Sequence, residues 1–142
     1  MTTPAARRKA RHYAMQALYQ WQLTQQEPKD IVKQFKSEYD MSNVDVSYFE
    51  ELAKSIPKQI EALDQQFINQ LLDRELNEID PITLALLRIA CFELVNRIDV
   101  PYKVVISEAV SLAKKFGAAD SHKFINGVLD KTAVLIRTAE IG

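Results

Sequence analysis

The sequence predicts an all-α protein: one domain of 142 residues with about seven helices, grouped at about residues 1–63 and about residues 64–142. Three observations predict it. Apolar residues recur at intervals of three and four through most of the chain, without strand-like alternation, a heptad array or an internal repeat. Helix-start signals stand in front of the apolar stretches, as at Thr2-Thr3-Pro4, Asp45 and Asp80-Pro81. Three glycines and five prolines are too few for a loop-rich scaffold, while 47% apolar residues suffice to fill an ordinary core.

The first helix starts at Thr2-Thr3-Pro4 and runs to about Leu23. On a helical wheel Ala10, Ala14, Ala17, Leu18 and Trp21 form its buried stripe, with Arg8, His12, Met15 and Tyr19 roughly opposite. Arg7 and Arg11 fall at the edge of the stripe, where their stems can lie on apolar surface and their charges stay in water. Glu27-Pro28 ends this helix, and a short one with Ile31, Val32, Phe35 and Tyr39 follows from a cap at Asp30. After a loop from Asp40, Asp45 caps a segment carrying Phe49, Leu52, Ala53, Ile56, Ile60 and Leu63, which Pro57 should kink or split.

Asp64 is expected to start a short helix with Phe67, Ile68, Leu71 and Leu72, and Asp73 to Asp80 reads as an acidic connector. Beyond Asp80-Pro81 the helix is apolar on nearly every side, from Ile82 to Val95, which makes it the spine of the core. Arg88 within it reads as a structural residue paired with a buried carboxylate or helix carbonyls. A helix with Val105, Ile106, Ala109, Val110, Ala113 and Phe116 follows Pro101 and ends at Gly117, a natural residue just past a helix end. Asp120 or Ser121 caps the last helix, and Gly127 inside it is expected to mark close approach of another helix.

Several chemistries are excluded. The single cysteine, Cys91, and the two histidines, His12 and His122, offer neither a paired nucleophile and base nor metal-ligand spacing. Gly117, Gly127 and Gly142 are too scattered for a phosphate-cradling loop. The chain is therefore expected to bind rather than catalyse and to reside in a reducing cytoplasm. No apolar run approaches the roughly 20 residues that span a bilayer, and no secretory leader pattern follows the N-terminal cations.

The net charge of −1 conceals an asymmetry: residues 1–24 carry +4, residues 25–80 carry −7 and residues 81–142 carry +2. Arg7, Arg8, Lys9 and Arg11, with His12, Tyr13 and Tyr19 close by, form the mixture that single-stranded nucleic-acid sites use, cations for phosphates and aromatic faces for bases. The same cluster also reads as a solvated terminus, although cations near a helix N-terminus oppose the macrodipole by some tenths of a kcal/mol. Met15 and Tyr19 on the outward side mark a surface for a protein partner. Phe124, beside Lys123 and His122, reads either as peripheral core or as a stacking platform.

Ala5-Ala6-Arg7-Arg8-Lys9-Ala10-Arg11, then Ala17-Leu18-Tyr19 and Trp21, resemble the opening helix of the NusB family of bacterial transcription antitermination factors. Leu87-Arg88-Ile89-Ala90, Glu93-Leu94, Asp99-Val100-Pro101-Tyr102-Lys103, Glu108-Ala109, Ala113-Lys114-Lys115-Phe116-Gly117 and Asp120 through Lys131 resemble the same family in order and spacing. The resemblance implies two small helical bundles packed across one another and a role in antitermination, notably on ribosomal RNA operons. It implies pairing with the tenth protein of the small ribosomal subunit, binding of single-stranded boxA RNA in the nascent transcript, and assembly with other Nus factors on RNA polymerase. No cofactor is implied.

By the same resemblance Arg7, Arg8 and Arg11 would hold phosphates, Asp120, Lys123 and Phe124 would lie along the RNA path, and Tyr19 would face the protein partner. The sequence departs from the family pattern at Pro57, matches loosely over residues 25–80, and has Thr83 where some relatives have an acidic residue. Two rival readings remain: a pure protein adaptor, and a fragment of an RNA cytosine methyltransferase, to which similar domains are attached.

Overall fold

The computed structural model describes residues 2–142. Among these residues there are seven α-helices of eight residues or more, a four-residue helix near the C-terminus, two short 3-10 turns and no strand. None of the helices is long and apolar enough to cross a membrane. The chain divides into two compact units, one ending at Gln59 and one spanning Ile60–Gly142.

The first unit holds α1 (Pro4–Thr24), α2 (Pro28–Glu38) and α3 (Val46–Lys58), each packed on the other two. Local chemistry sets the ends of α1 and α3. The Ala6 N–H donates to the Thr3 hydroxyl at 3.0 Å, and the Tyr48 N–H donates to the Asp45 carboxylate at 3.1 Å, so each cap satisfies one of the amides that a helix start leaves unpaired. Asp30, expected as the cap of α2, instead lies in its first turn; the helix begins at Pro28, whose missing N–H costs nothing there. Pro57 does split its segment. It removes one helical hydrogen bond, α3 stops at Lys58, and the Gln59 N–H is shared between the carbonyls of Ser55 and Ile56. Phe35 and Phe49 stack with centroids 5.9 Å apart in the core between α2 and α3.

The second unit contains α4 (Ile60–Phe67), α5 (Pro81–Asn96), α6 (Tyr102–Phe116), α7 (Ser121–Ile136) and α8 (Thr138–Ile141). Helix α5 packs on α4, α6 and α7 together, which is why it is apolar on every side: Ala85 to Leu94 are all buried. Its start follows expectation, Asp80 accepting from both the N–H and the hydroxyl of Thr83. Asp64 does not start a helix. It lies buried in the middle of α4, where its two oxygens receive Arg88 Nε at 2.9 Å and Nη2 at 2.8 Å. Arg88 thus has the buried carboxylate expected of it, in the bidentate geometry that best offsets desolvation.

Two glycine readings change. Gly117 ends α6 in an extended conformation, φ −85°, and is required for space: an added Cβ would lie 2.3 Å from Ser121 Oγ. Gly127 is exposed and an added Cβ would meet nothing within 4 Å, so no neighbouring helix approaches it.

Cys91 is fully buried in α5, and burial, with the nearby Asp64 charge adding to it, pushes its thiol far above the ordinary range. The folded protein is expected to resist thiol reagents at neutral pH and to react only through opening of the second unit. Labelling as fast as that of a free thiol in native buffer would contradict this packing.

Candidate functional site

The cations of α1 are sorted by what α3 places beside them. Arg8 and Lys9 are exposed. The Arg7 guanidinium lies over the Tyr48 ring, 4.4 Å from its centroid, with Nε 3.6 Å from Asp45. Arg11 is directed to the same ring, at 5.6 Å, and is only 4% exposed. The expectation that Arg11 keeps its charge in water is therefore corrected: a buried tyrosine face at the start of α3 draws it inward, an attraction that strengthens where water is excluded. Arg8 and Lys9 are left as exposed cations in the second turn of a helix whose first turn contains no acid.

Asp45 organises this end of the unit. It accepts the Thr2 hydroxyl at 2.6 Å and the Tyr48 N–H, while its own N–H donates to the Ala6 carbonyl at 3.1 Å. Partial burial pushes its carboxyl pKa up, but the Thr2 and Tyr48 hydrogen bonds and the Arg7 charge outweigh this and hold it below the ordinary carboxylate range. A depressed folded-state pKa contributes stability above the unfolded value, about pH 4, and that contribution disappears as pH falls through the folded value. Asp45→Asn is expected to lower the melting temperature at pH 7 and to flatten its fall below about pH 4. Parallel melting curves against pH for variant and wild type would contradict this.

Tyr19 and Met15 part company. Tyr19 is 38% exposed and available to a partner, whereas Met15 is 1% exposed and is withdrawn as a surface residue. Both α2 and α3 cover α1, so its buried arc is wider than a single stripe, and an unbranched methionine is suited to filling it. The wheel erred at Trp21 as well, which is half-buried.

On the second unit the candidates cluster at the start of α7. Asp120 occupies the cap position in the left-handed region, φ 64°, without a capping hydrogen bond from its side chain. Its carboxylate instead lies 3.5 Å from Lys123 Nζ, both side chains well exposed. Phe124 is half-buried, and the guanidinium of Arg74 lies over its ring at 4.6 Å from the centroid. An aromatic ring with a guanidinium over it, a second cation and an exposed carboxylate suit a base and a phosphate; they provide no nucleophile and base.

Comparison with known proteins decides the family. The NusB family profile matches residues 8–134. The chain belongs to the NusB family. It is 56% identical over 137 residues to the transcription antitermination protein NusB of Saccharophagus degradans, covering 96% of this chain and 91% of that protein. The protein of the same name from Teredinibacter turnerae is 56% identical over 138 residues, covering 97% and 94% of the two chains. The structure of NusB from T. maritima superposes with a TM-score of 0.77 at 29% identity, covering 94% of this chain and 92% of that one. NusB proteins are transcription antitermination factors and not enzymes. Arg8, Arg11, Met15, Tyr19, Asp120, Lys123 and Phe124 fall inside the NusB profile, and Arg7 lies one residue before it.

Sequence reasoning passed over two residues of these clusters. Tyr48 was one more aromatic on a helix with an apolar stripe, and nothing in its spacing tied it to α1. Arg74 was a lone cation in an acidic connector, fifty positions from the ring it covers.

Proposed function

We propose that this protein binds single-stranded, boxA-like RNA of nascent transcripts as a heterodimer with the tenth protein of the small ribosomal subunit, and so supports processive elongation, notably on ribosomal RNA operons. Residues 1–142 act as one RNA-binding domain in the cytoplasm, and the heterodimer joins other Nus factors on RNA polymerase. The observation that carries this reading is the +4 charge of residues 1–24, with Arg8 and Lys9 exposed near the start of a helix that holds no acid in its first turn. Arg8, Lys9 and the half-buried Arg7 take phosphates on the first unit. Lys123 and Phe124 take a phosphate and a base on the second, Asp120 tempers the charge of Lys123, and Tyr19 faces the ribosomal partner. Arg11 acts by holding α1 on Tyr48 and makes no phosphate contact.

The test is anisotropy of a labelled single strand titrated with the heterodimer across a salt series. Each phosphate contact contributes about −0.7 to the log–log slope on single strands, so three or four contacts predict a slope near −2 to −3. Arg8→Ala with Lys9→Ala should flatten it by roughly 1.4. Phe124→Ala should weaken binding about tenfold with little change of slope, because stacking releases few ions. Feeble binding, indifferent to these substitutions, would contradict the RNA reading and favour a protein adaptor.

A further inference from the structure

Arg74 belongs to a segment held in an uncommon conformation. Leu72 and Asp73 both occupy the left-handed region, φ 53° and 67°, which costs side-chain-bearing residues about 1 kcal/mol or more each and persists only where the surroundings impose it. Here both flanks are pinned. Leu71 is 1% exposed, the Arg74 N–H donates to its carbonyl at 3.2 Å, and a capping box between Glu75 and Glu78 fixes the turn that follows. The outcome is that the Arg74 guanidinium lies on the face of Phe124.

The placement is notable for what Arg74 does not do. Its neighbours in sequence include Asp73, Glu75, Glu78 and Asp80, yet among the described residues no carboxylate lies within ion-pair distance of it. Arg74 is exposed, so the outer face of the guanidinium and its N–H edges are open to solvent. A planar cation stacked on an aromatic ring offers a second flat surface, and arginine planes accept bases much as aromatic rings do.

We propose that Arg74 and Phe124 form one composite nucleotide subsite, in which a base of single-stranded RNA stacks on the outer face of the Arg74 guanidinium and an adjacent phosphate accepts from its N–H groups. The strained Leu72-Asp73 turn is the device that presents the guanidinium in this pose. The inference rests on the RNA-binding reading above and adds to it a residue, Arg74, and a mode of contact.

The experiment compares the full-length wild type with Arg74→Ala, Arg74→Lys and Phe124→Ala, each paired with the ribosomal protein, using a single-stranded oligoribonucleotide that carries a fluorescent base analogue. Circular dichroism verifies that each variant is folded. Arg74→Ala is expected to weaken binding about tenfold, the loss of one stacked base, and to flatten the salt slope by about 0.7. Arg74→Lys is expected to keep the slope but not the affinity, and to lose the quenching that stacking causes, because an ammonium holds a phosphate without offering a plane. Arg74→Ala binding as well as or better than wild type, while Phe124→Ala binds weakly, would overturn the composite subsite and leave the RNA reading intact. A lysine variant that matches wild type in affinity and quenching would overturn the stacking role. A wild-type heterodimer that fails to bind would overturn both readings.

Discussion

Asp64→Ala is expected to destabilise the protein by about 3–5 kcal/mol, because it leaves the Arg88 guanidinium buried in α5 without its counter-charge. Domains of this size have about 5–15 kcal/mol in total, so the variant should unfold at a markedly lower urea concentration. Arg88→Ala should behave alike from the other side. Both side chains are 11% exposed and the contact is bidentate, which separates this pair from surface ion pairs of little consequence. Replacing both at once, Asp64→Leu with Arg88→Met, is expected to recover most of the loss, since the penalty comes from the orphaned charge more than from the missing attraction. Single variants with wild-type urea midpoints would contradict the buried-pair account. Chemical labelling of Cys91, in the same helix as Arg88, reads the opening of this unit directly.

Arg137→Ala is expected to cost about 3 kcal/mol or more, from the loss of several charge-assisted hydrogen bonds of about 1.5–3 kcal/mol each that are not additive. Its side chain closes the C-terminus of α5: Nε donates to the Leu94 carbonyl at 2.8 Å, and Nη2 to those of Glu93 and Arg97, each at 3.1 Å. The Glu93 and Arg97 carbonyls also accept the N–H groups of Arg97 and Val100, so Arg137 adds a second, charge-assisted bond to each at the helix end, and Arg137 itself is 6% exposed. Nη1 pairs with Glu140, whose other oxygen receives the Tyr102 N–H at 3.0 Å, so one arginine joins the end of α5 to α8 and, through Glu140, to the start of α6. Arg137→Lys should rescue little, because a single ammonium cannot serve carbonyls in three directions. Thermal melts of the two variants test this; a lysine variant as stable as wild type would show that the charge alone suffices.

Local features of the fold were legible in the sequence because their causes are local. Thr3, Asp45 and Asp80 cap the helices they precede, Pro57 ends α3, and the all-round apolar character of α5 announced its central position. Features that depend on a distant partner were not. Asp64 looked like a cap because its true partner, Arg88, is 24 positions away, and Arg137 gave no sign of the carbonyls it would reach 40 to 44 positions earlier.

The candidate site divides in the same way. The cationic start of α1 is a fact of composition, but which cations face outward depends on Tyr48, a residue of another helix. Arg11 and Met15 were misplaced for that kind of reason: a helical wheel supplies directions around an axis, and not which directions other helices cover. At Phe124 the sequence left core and platform open. The ring is half-buried and the Arg74 guanidinium lies over its face, an arrangement that neither spacing nor composition indicated.

The proposed function requires the protein to read RNA sequence in company with a ribosomal protein. The most direct measurement is competition, at one fixed salt concentration near physiological, between a boxA-like strand and a scrambled strand of equal length and composition for the purified heterodimer. The account predicts a preference of at least about tenfold for the boxA-like strand, the order of discrimination that one well-read base supplies. Equal binding of the two strands would contradict it, leaving a basic helix that attracts any polyanion.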